Sequence, residues 1–160
     1  MSKNSRRAPV LSFDSALELV AAKRETGQSI VFTNGCFDIL HPGHLEILEK
    51  ASLMGDFLVV GVNTDGSVER LKGAERPVQT LNSRTAILSC IRFVDCVVPF
   101  EQDTPQNLIS LLLPDVLVKG GDYEVETVVG AEEVIRNGGR VEIVSLLKGF
   151  STTDILKGFR

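Results

Sequence analysis

Residues 29–47 read SIVFTNGCFDILHPGHLEI, an apolar run that ends at a glycine turn and leads to the only two histidines of the chain. The IVF run at residues 30–32 consists of β-branched and aromatic residues, which predicts a buried strand. Pro42 is typical of the first turn of a helix, where its missing N–H leaves no bond unmade. The stretch therefore predicts a strand, a turn and then a helix with His41 and His44 at its mouth. The buried stripe of that helix is predicted to comprise Leu45, Ile47, Leu48 and Ala51.

A helix start of this composition favours an anion. The free N–H groups and the positive end of the helix dipole attract phosphate, and Gly43 would let a ligand approach the backbone closely. The imidazoles of His41 and His44 would add N–H donors, and positive charge where they are protonated. We therefore expect a phosphate-binding site at residues 41–44.

Other interpretations of these residues stay open. A single histidine is more often exposed or structurally satisfied than catalytic. A metal site would combine Cys36, His41 and His44, with Asp38 completing the set, although the spacing matches no common zinc pattern. Cys36 could also act as a nucleophile, but no further histidine is available as its base, which favours a small packed residue.

Length and composition are those of one globular domain. The 160 residues are 43% hydrophobic and 24% charged, a balance that excludes general disorder. The net charge of -4 argues against a protein that wraps nucleic acid. No apolar run approaches the roughly 18 residues needed to cross a membrane, so we expect a cytoplasmic protein. The cysteines Cys36, Cys90 and Cys96 are an odd and scattered set, so we expect no disulfide framework.

Strand and helix patterns alternate along the chain. We expect residues 1–27 to form a tail and a helix, and residues 28–160 to form the main domain; residues 1–9 are polar and basic and are expected to be mobile. The first helix is predicted from Phe13 to Lys23, capped by Asp14 or Ser15 and docked on the sheet edge. Further strands are predicted at residues 56–63, 94–98, 115–119 and 141–146, and further helices at residues 86–91, 108–112, 128–137 and 155–159. This α/β alternation predicts a parallel five-stranded sheet with helices on both faces.

Unusual residues follow the predicted strands. Ligands of parallel α/β sheets gather at the carboxyl ends of the strands, so these residues should converge. They are Asn34 to Asp38 after the first strand, Asp65 after the second, Gly120 to Tyr123 after the fourth, and Ser151, Thr152 and Thr153 after the fifth. The last group places three hydroxyls at a second helix start, which suits either phosphate binding or a plain helix cap.

Three cations lie in residues 68–78, VERLKGAERPV: Arg70, Lys72 and Arg76. A solvated basic loop is the default interpretation of such a segment. A reaction between two phosphorylated molecules needs cations to hold both, however, and a lysine beside a glycine could follow a moving phosphate. Lys72 is therefore a candidate phosphate ligand.

Two adjacent motifs resemble a known family. HPGH at residues 41–44 is similar to the HxGH signature of the nucleotidyltransferases related to class I aminoacyl-tRNA synthetases, and TNGCFD at residues 33–38 resembles the preceding segment of the cytidylyltransferase-like branch. Within that branch, further blocks resemble the heptose 1-phosphate adenylyltransferases: VNTDGSVERLKGAERPV at 62–78, DTPQNLI at 103–109, LLPDVLVKGGDY at 112–123 and STTDI at 151–155. The resemblance covers residues 30–156 and implies a Rossmann-like sheet.

The resemblance also implies a reaction and its residues. ATP and D-glycero-beta-D-manno-heptose 1-phosphate would give ADP-heptose and pyrophosphate, for lipopolysaccharide-core or related heptose glycan synthesis. The implied catalytic residues are His41, His44 and Lys72. The implied nucleotide-binding residues are Cys36, Phe37, His41, Gly43, His44, Gly120, Asp122, Ser151, Thr152 and Thr153. The implied substrate-binding residues are Asn34, Asp38, Lys72 and Arg84, the last with a surface ion pair as its alternative. The implied cofactor is Mg2+, held mainly by phosphates with Asp38 as the candidate protein contact, and the implied assembly is a homodimer.

The sequence departs from the family pattern at one place. Leu146, Leu147 and Lys148 stand where the polyol-phosphate branch has arginine, threonine and glutamate, which argues against cytidine handling. A CTP-dependent cytidylyltransferase acting on glycerol 3-phosphate or ethanolamine phosphate stays open as the alternative, as does a nucleotide-binding sensor without turnover. Neither G-x-G-x-x-G nor a P-loop occurs, which argues against a dehydrogenase or a P-loop enzyme. The resembled domain is half of a bifunctional kinase/adenylyltransferase, and without a sugar-kinase half we expect a separate kinase to supply the substrate.

Overall fold

The computed structural model describes residues 7–145, 147 and 149–158. Its sheet has five parallel strands in the order β3-β2-β1-β4-β5. The strands are β1 (Ile30–Gly35), β2 (Phe57–Asn63), β3 (Cys96–Phe100), β4 (Val116–Gly120) and β5 (Arg140–Val144). The predicted Rossmann-like α/β class is confirmed.

The helices cover both faces of this sheet, because each crossover between parallel strands must return over one face. They are α1 (Phe13–Glu25), α2 (Pro42–Ser52), α3 (Asp65–Lys72), α4 (Leu81–Ser89), α5 (Gln106–Leu112), α6 (Ala131–Arg136) and α7 (Thr152–Lys157), with a short 3-10 helix at Val125–Thr127. The first, fifth and sixth helices pack on one face, and α2 and α4 pack on the other.

Alternating side chains of the strands fill two cores. Ile30 and Phe32 of β1 enter the core beneath α1, while Val31 enters the core beneath α2. All seven residues of β2 are buried, as expected for a central parallel strand covered on both faces. Each fully buried aliphatic or aromatic side chain contributes about 1.5–3 kcal/mol to folding. The two cores therefore hold the strands in place, and the carboxyl ends of these strands form one edge of the sheet.

The N-terminal segment differs from the prediction. The hydroxyl of Ser12, not Asp14 or Ser15, caps α1 by accepting the N–H of Ser15. This helix buries Ala16 and Val20 over one face of the sheet, where it contacts the edge strand β3 and also β1, so it docks at the predicted edge but from the face. Before it, Pro9 accepts the N–H of Val97 and Leu11 donates to the carbonyl of Val97 in β3, while Ala8 donates to the carbonyl of Ser89 at the end of α4. The predicted mobility of residues 7–9 is wrong for that reason, and residues 1–6 lie outside the described residues.

Other boundaries also shift. Residues 65–72 form α3 rather than a basic loop, because Thr64 caps a helix there by accepting the N–H of Ser67. The inward face of α2 runs through Leu48 and Ala51, so Leu45 lies beside it and is 43% exposed. Within the predicted helix at residues 128–137, the helix begins at Ala131. The predicted ends at Leu146 and Phe159, like Lys148, lie outside the described residues.

Within the described residues, no helix combines the length and apolar character needed to cross a membrane. The thiols of Cys36, Cys90 and Cys96 are all free, which confirms that the cysteines form no disulfide framework.

Candidate active site

A cleft of about 340 Å³ lies at the carboxyl edge of the sheet. Its walls come from the turn after β1, the start of α2, the end of β4 and the start of α7, as the convergence of strand ends predicted. The lining comprises Thr33, Asn34, Gly35, Cys36, Phe37, Asp38, His41, His44, Ile47, Lys72, Arg76, Lys119, Gly120, Tyr123, Phe150, Ser151, Thr152 and Thr153. A neighbouring cavity of about 570 Å³ shares Lys72, Arg76 and Thr153 with the cleft.

The two histidines stack on each other at the start of α2. Their ring centroids lie 3.8 Å apart and the ring planes meet at 25°. Phe37 contacts His44 at 5.3 Å between ring centroids, and Phe150 lies 6.5 Å from His41. The Nδ1 atoms of His41 and His44 are both buried without a hydrogen-bond partner among the described residues. A buried polar atom without a partner costs about 1–3 kcal/mol, so each of these two calls for an explanation.

Both imidazoles are neutral near pH 7. Burial lowers the pKa of His41. Burial, reinforced by the charge of His41, lowers the pKa of His44 to about 4. The histidines therefore add no positive charge to the cleft at neutral pH. Their neutral rings offer N–H donors instead. The cationic character of the site comes from lysine and arginine.

The glycine of the HPGH motif makes room for a ring. A Cβ atom at Gly43 would lie 3.0 Å from Cε1 and Nδ1 of His41, closer than side chains normally approach. The space beside Gly43 that the sequence assigned to a ligand is therefore filled by the His41 imidazole. Phe37, before the motif, has a φ of 47°, a left-handed conformation that is strained for a non-glycine residue and places its ring against Gly35.

Asp38 is a buried anchor. Its Oδ2 atom accepts from Nε of Arg76 at 2.6 Å and from the N–H of Val78 at 2.9 Å, and its Oδ1 accepts from the N–H of Gln79 at 2.9 Å. Burial alone would raise the pKa of Asp38, but these three donors hold it below its usual value. Three donors of the chain therefore take up most of the acceptor positions of this carboxylate, and a metal or substrate contact of Asp38 stays a prediction.

Arg84 is a second buried anchor. Its guanidinium donates to the carbonyl oxygens of Cys36, Asn63 and Gln79 and to the carboxylate of Asp65. The side chain is fully buried, which does not favour the predicted substrate contact. The alternative, an ion pair with a nearby acid, is present as the pair with Asp65, although the arginine side of this pair is buried. Asp65, expected in the cleft, instead holds this arginine from outside. Arg84 positions the turn that carries the site.

Two lysines and a tyrosine line a further part of the cleft wall. Lys72 ends α3 beside Gly73, whose φ of 101° ends the helix. Its exposed side chain reaches the cleft, as predicted. Tyr123, which the sequence placed among the converging residues after the fourth strand, also lines the cleft. So does Lys119, which the sequence reasoning did not select, although its place at the end of a strand in VKGGDY was an available signal.

The three hydroxyl-bearing residues Ser151, Thr152 and Thr153 lie at the start of α7, where the sequence predicted a helix start. Ser151 caps α7 by accepting the N–H of Asp154 at 3.0 Å, and Thr152 donates to the carbonyl of Ile39 at 3.4 Å. The bond from Thr152 joins α7 to the turn before α2, and the three residues line the same cleft as the histidines. The plain helix cap and a ligand role are thus compatible.

Two predicted residues behave differently from their neighbours. Asp122 is exposed and does not line the cleft, because the φ of 135° at Gly121 turns the chain so that Tyr123 folds back there. Cys36 does line the cleft, but burial raises the pKa of its thiol. A protonated thiol is a poor nucleophile, which supports the interpretation of Cys36 as a packed residue.

The described residues contain no group of three or more histidine, cysteine, aspartate or glutamate side chains placed to hold a metal ion. The alternative of a zinc site at Cys36, His41 and His44 therefore does not fit the structure. Mg2+ is compatible with the site only as an ion carried largely by phosphate oxygens and water.

A parallel sheet with two stacked histidines at a helix start, facing hydroxyls and lysines, is suited to a phosphorylated ligand. The chain belongs to the cytidylyltransferase-like family, whose sequence profile matches residues 32–157. Its enzyme class is accordingly that of a nucleotidyltransferase.

Among the curated relatives of this chain are two proteins that are both named Bifunctional protein HldE. The protein of Actinobacillus pleuropneumoniae serotype 5b (strain L20) is 51% identical over 148 residues, and that of Haemophilus ducreyi is 57% identical over 134 residues. The alignments cover 92% and 84% of this chain but 31% and 28% of the relatives. The chain therefore spans less than a third of the length of these proteins.

Two solved structures are also similar. The lipopolysaccharide core biosynthesis protein from Thermoplasma volcanium GSS1 is 29% identical with a TM-score of 0.61, over 78% of this chain and 100% of that one. Pantoate-beta-alanine ligase from Francisella tularensis, complexed with beta-gamma ATP and beta-alanine, is 14% identical with a TM-score of 0.59, over 94% of this chain and 76% of that one. At that identity the second structure supports the fold alone.

Proposed function

We propose that this chain transfers the adenylyl group of ATP to D-glycero-beta-D-manno-heptose 1-phosphate and releases pyrophosphate. The observation that carries the proposal is the stacked pair of His41 and His44 at the start of α2, each with a buried ring nitrogen that lacks a partner among the described residues. A fold tolerates such atoms where a ligand supplies the missing bonds. A triphosphate, rich in acceptor oxygens, suits a cleft lined by imidazole, hydroxyl and lysine donors.

The choice of substrates is supported by likeness. The relatives named Bifunctional protein HldE share 51% and 57% identity with this chain, and the sequence blocks resemble the heptose 1-phosphate adenylyltransferases. The Thermoplasma volcanium structure is titled as a lipopolysaccharide core biosynthesis protein, which supports a sugar phosphate as the acceptor.

The proposed chemistry is a direct displacement at phosphorus. A phosphate oxygen of the heptose 1-phosphate attacks the α-phosphorus of ATP, and the bond from that phosphorus to the bridging β-phosphate oxygen breaks. The products are ADP-heptose and pyrophosphate. Because the attacking phosphate is already an anion near neutral pH, the protein needs no strong base and no covalent nucleophile. The protonated thiol of Cys36 agrees with this requirement.

The protein would contribute position and charge. Neutral His41 and His44 would donate N–H groups to the phosphates, together with the free N–H groups at the start of α2. The hydroxyls of residues 151–153 would donate from the opposite wall. Lys72 would balance negative charge that develops as pyrophosphate leaves. Mg2+, when bound, would neutralise phosphate charge, and phosphate oxygens and water would be its main ligands.

Pyrophosphate release tests the proposal. Purified protein with Mg2+ is assayed over a grid of ATP and CTP against heptose 1-phosphate, glycerol 3-phosphate and ethanolamine phosphate. Release only with ATP and heptose 1-phosphate is expected. Release only with CTP and a small alcohol phosphate would replace the substrates, and binding of ATP without any turnover would favour a sensor.

A cytoplasmic location and a homodimer are also proposed, on the resemblance to the family. Light scattering on the purified chain would measure the mass of the assembly, and a mass near that of one chain would reject the dimer.

A further inference from the structure

Lys119 is a partly buried cation to which the proposed chemistry assigns no role. It lies near the end of β4, and its Nζ atom is 5.8 Å from the ring centroid of Tyr123. Among the described residues, its ammonium forms neither an ion pair nor a hydrogen bond. Arg76, another cation that lines the cleft, differs from Lys119 because it forms an ion pair with Asp38.

The partly buried ammonium of Lys119 loses hydration without gaining an ion pair among the described residues, which is unfavourable, and its surroundings add to this free-energy cost. Burial lowers the pKa of Lys119; the nearby Cys36 thiol opposes this shift, and the positive charge of Lys72 adds to it. Two cations that face one cleft without an anion between them repel each other. An anion bound between them would relieve both the desolvation and the repulsion.

A separate small cavity adjoins Lys119. It has a volume of about 170 Å³ and shares Asn34, Lys119 and Tyr123 with the cleft. The remaining lining residues are Pro105, Thr127, Val128 and Val129, so neither histidine and none of residues 151–153 reaches it. Its size is well below the roughly 300 Å³ of a typical ligand site, which suits a phosphate group rather than a nucleotide.

The position of this cavity in the sheet is that of a ligand site. It lies beside neighbouring strands β1 and β4, where the strand order changes direction in β3-β2-β1-β4-β5. The amide of Asn34, at the end of β1, makes no side-chain hydrogen bond to another described residue and adds a donor to that of Lys119.

We propose that Lys119 and Asn34 form a phosphate subsite for the acceptor molecule. This inference rests on the proposed function for the identity of the acceptor. The histidines and residues 151–153 would hold the triphosphate of the nucleotide, while the Lys119 subsite holds the attacking phosphate. Separate sets of donors would thus keep two anions close together without sharing ligands.

Phosphate binding tests the subsite without turnover. The protein is saturated with a non-hydrolysable α,β-methylene analogue of ATP and titrated with inorganic phosphate by calorimetry. Lys119→Met, which removes the charge and keeps the length of the side chain, is expected to weaken phosphate binding at least tenfold, whereas Lys119→Arg should remain within about threefold. Lys50→Met, at an exposed lysine paired with Glu46, is the matched control and should bind as the unaltered protein does.

Three results would overturn the subsite. They are phosphate binding that is undetectable in the unaltered protein, phosphate binding that is equal in Lys119→Met, and a loss of affinity for the ATP analogue in place of phosphate. A structural role is tested separately by thermal unfolding. Lys119→Met should melt at or above the temperature of the unaltered protein, because it removes an unpaired buried charge, and a large drop would also overturn the proposal.

Kinetics separate this inference from the proposed function. Lys119→Met should raise KM for heptose 1-phosphate at least tenfold and leave KM for ATP within about threefold. An unaltered protein without turnover on heptose 1-phosphate would reject the proposed acceptor, while the difference in phosphate binding would still support the subsite. Turnover combined with equal phosphate binding would reject the subsite alone.

Discussion

Nη1 of Arg84 lies 2.6 Å from the carbonyl oxygen of Cys36 and 2.7 Å from that of Asn63. One guanidinium therefore joins the turn after β1 to the end of β2, and its other donors reach Gln79 and Asp65. The turn after β1 carries the cleft residues from Cys36 onward, so the position of the histidines depends on an arginine whose side chain is fully buried.

Replacing Arg84 should destabilise the whole protein. Arg84→Met leaves three buried carbonyl oxygens with one donor fewer, and we expect the free energy of unfolding to fall by about 3–5 kcal/mol. Arg84→Lys should restore little, because one ammonium cannot span these acceptors. Urea denaturation measures both changes. Arg70→Met removes an exposed arginine paired with Glu101 and Asp103 and should change the midpoint much less; equal losses would contradict the anchoring role.

Asp38→Asn should loosen the segment that follows α3. The substitution breaks a buried ion pair with Arg76 and leaves an amide N–H facing donors, so we expect a loss of roughly 3–5 kcal/mol in unfolding free energy. The matched control is Glu46→Gln, which breaks an exposed pair with Lys50 and should have little effect. If Asp38→Asn kept full stability but shifted the Mg2+ dependence of activity, Asp38 would be a metal contact after all.

His44→Ala should lower kcat by about 100-fold or more if the imidazole stabilises charge that develops toward pyrophosphate. KM for ATP should change less than kcat, because such an interaction strengthens in the transition state. Single-turnover measurement of pyrophosphate release would report the chemical step, and far-UV circular dichroism would verify the fold. Kinetics that match the unaltered protein would eliminate this role for His44.

The same residue should make the protein less stable in mild acid. In the unfolded chain a histidine titrates near 6.5, whereas in the folded protein the pKa of His44 is about 4. Between these pH values only the unfolded chain binds the proton, so the free energy of unfolding should fall as pH drops from about 6.5 to about 4, by up to about 3 kcal/mol. Denaturation curves at several pH values for the unaltered protein and His44→Gln measure this. Parallel pH dependence in the two proteins would show that His44 is not the group concerned.

Cys36 should be dispensable for the reaction. Burial raises the pKa of its thiol, and direct displacement needs no nucleophile from the protein, so Cys36→Ser should keep activity within about threefold. Alkylation followed by mass spectrometry should modify exposed Cys90 first and buried Cys96 last, since burial raises the pKa of Cys96 to about 12. A large loss in Cys36→Ser would revive the covalent alternative.

Short-range signals explain what could be predicted. The IVF run, Pro42 and the hydroxyls at residues 151–153 act through neighbours in the chain, so the sheet class, the start of α2 and the start of α7 followed from local preferences. The boundary of α3 did not, because a basic segment with a glycine fits a loop as well as a short helix capped by Thr64.

The sequence by itself therefore determined the parallel α/β fold, the histidine pair at a helix start and the family. Only the tertiary structure decided which charges face the cleft. Asp38, predicted to contact substrate, forms an ion pair with Arg76, and Arg84, predicted likewise, donates to backbone carbonyls. Lys119 lines the cleft without an ion pair among the described residues. The physical reason is that a motif specifies a residue's type and place in the chain, whereas burial and hydrogen-bond partners come from distant segments. Cys36 and Arg84 are 48 positions apart, and Ile39 and Thr152 are 113 positions apart.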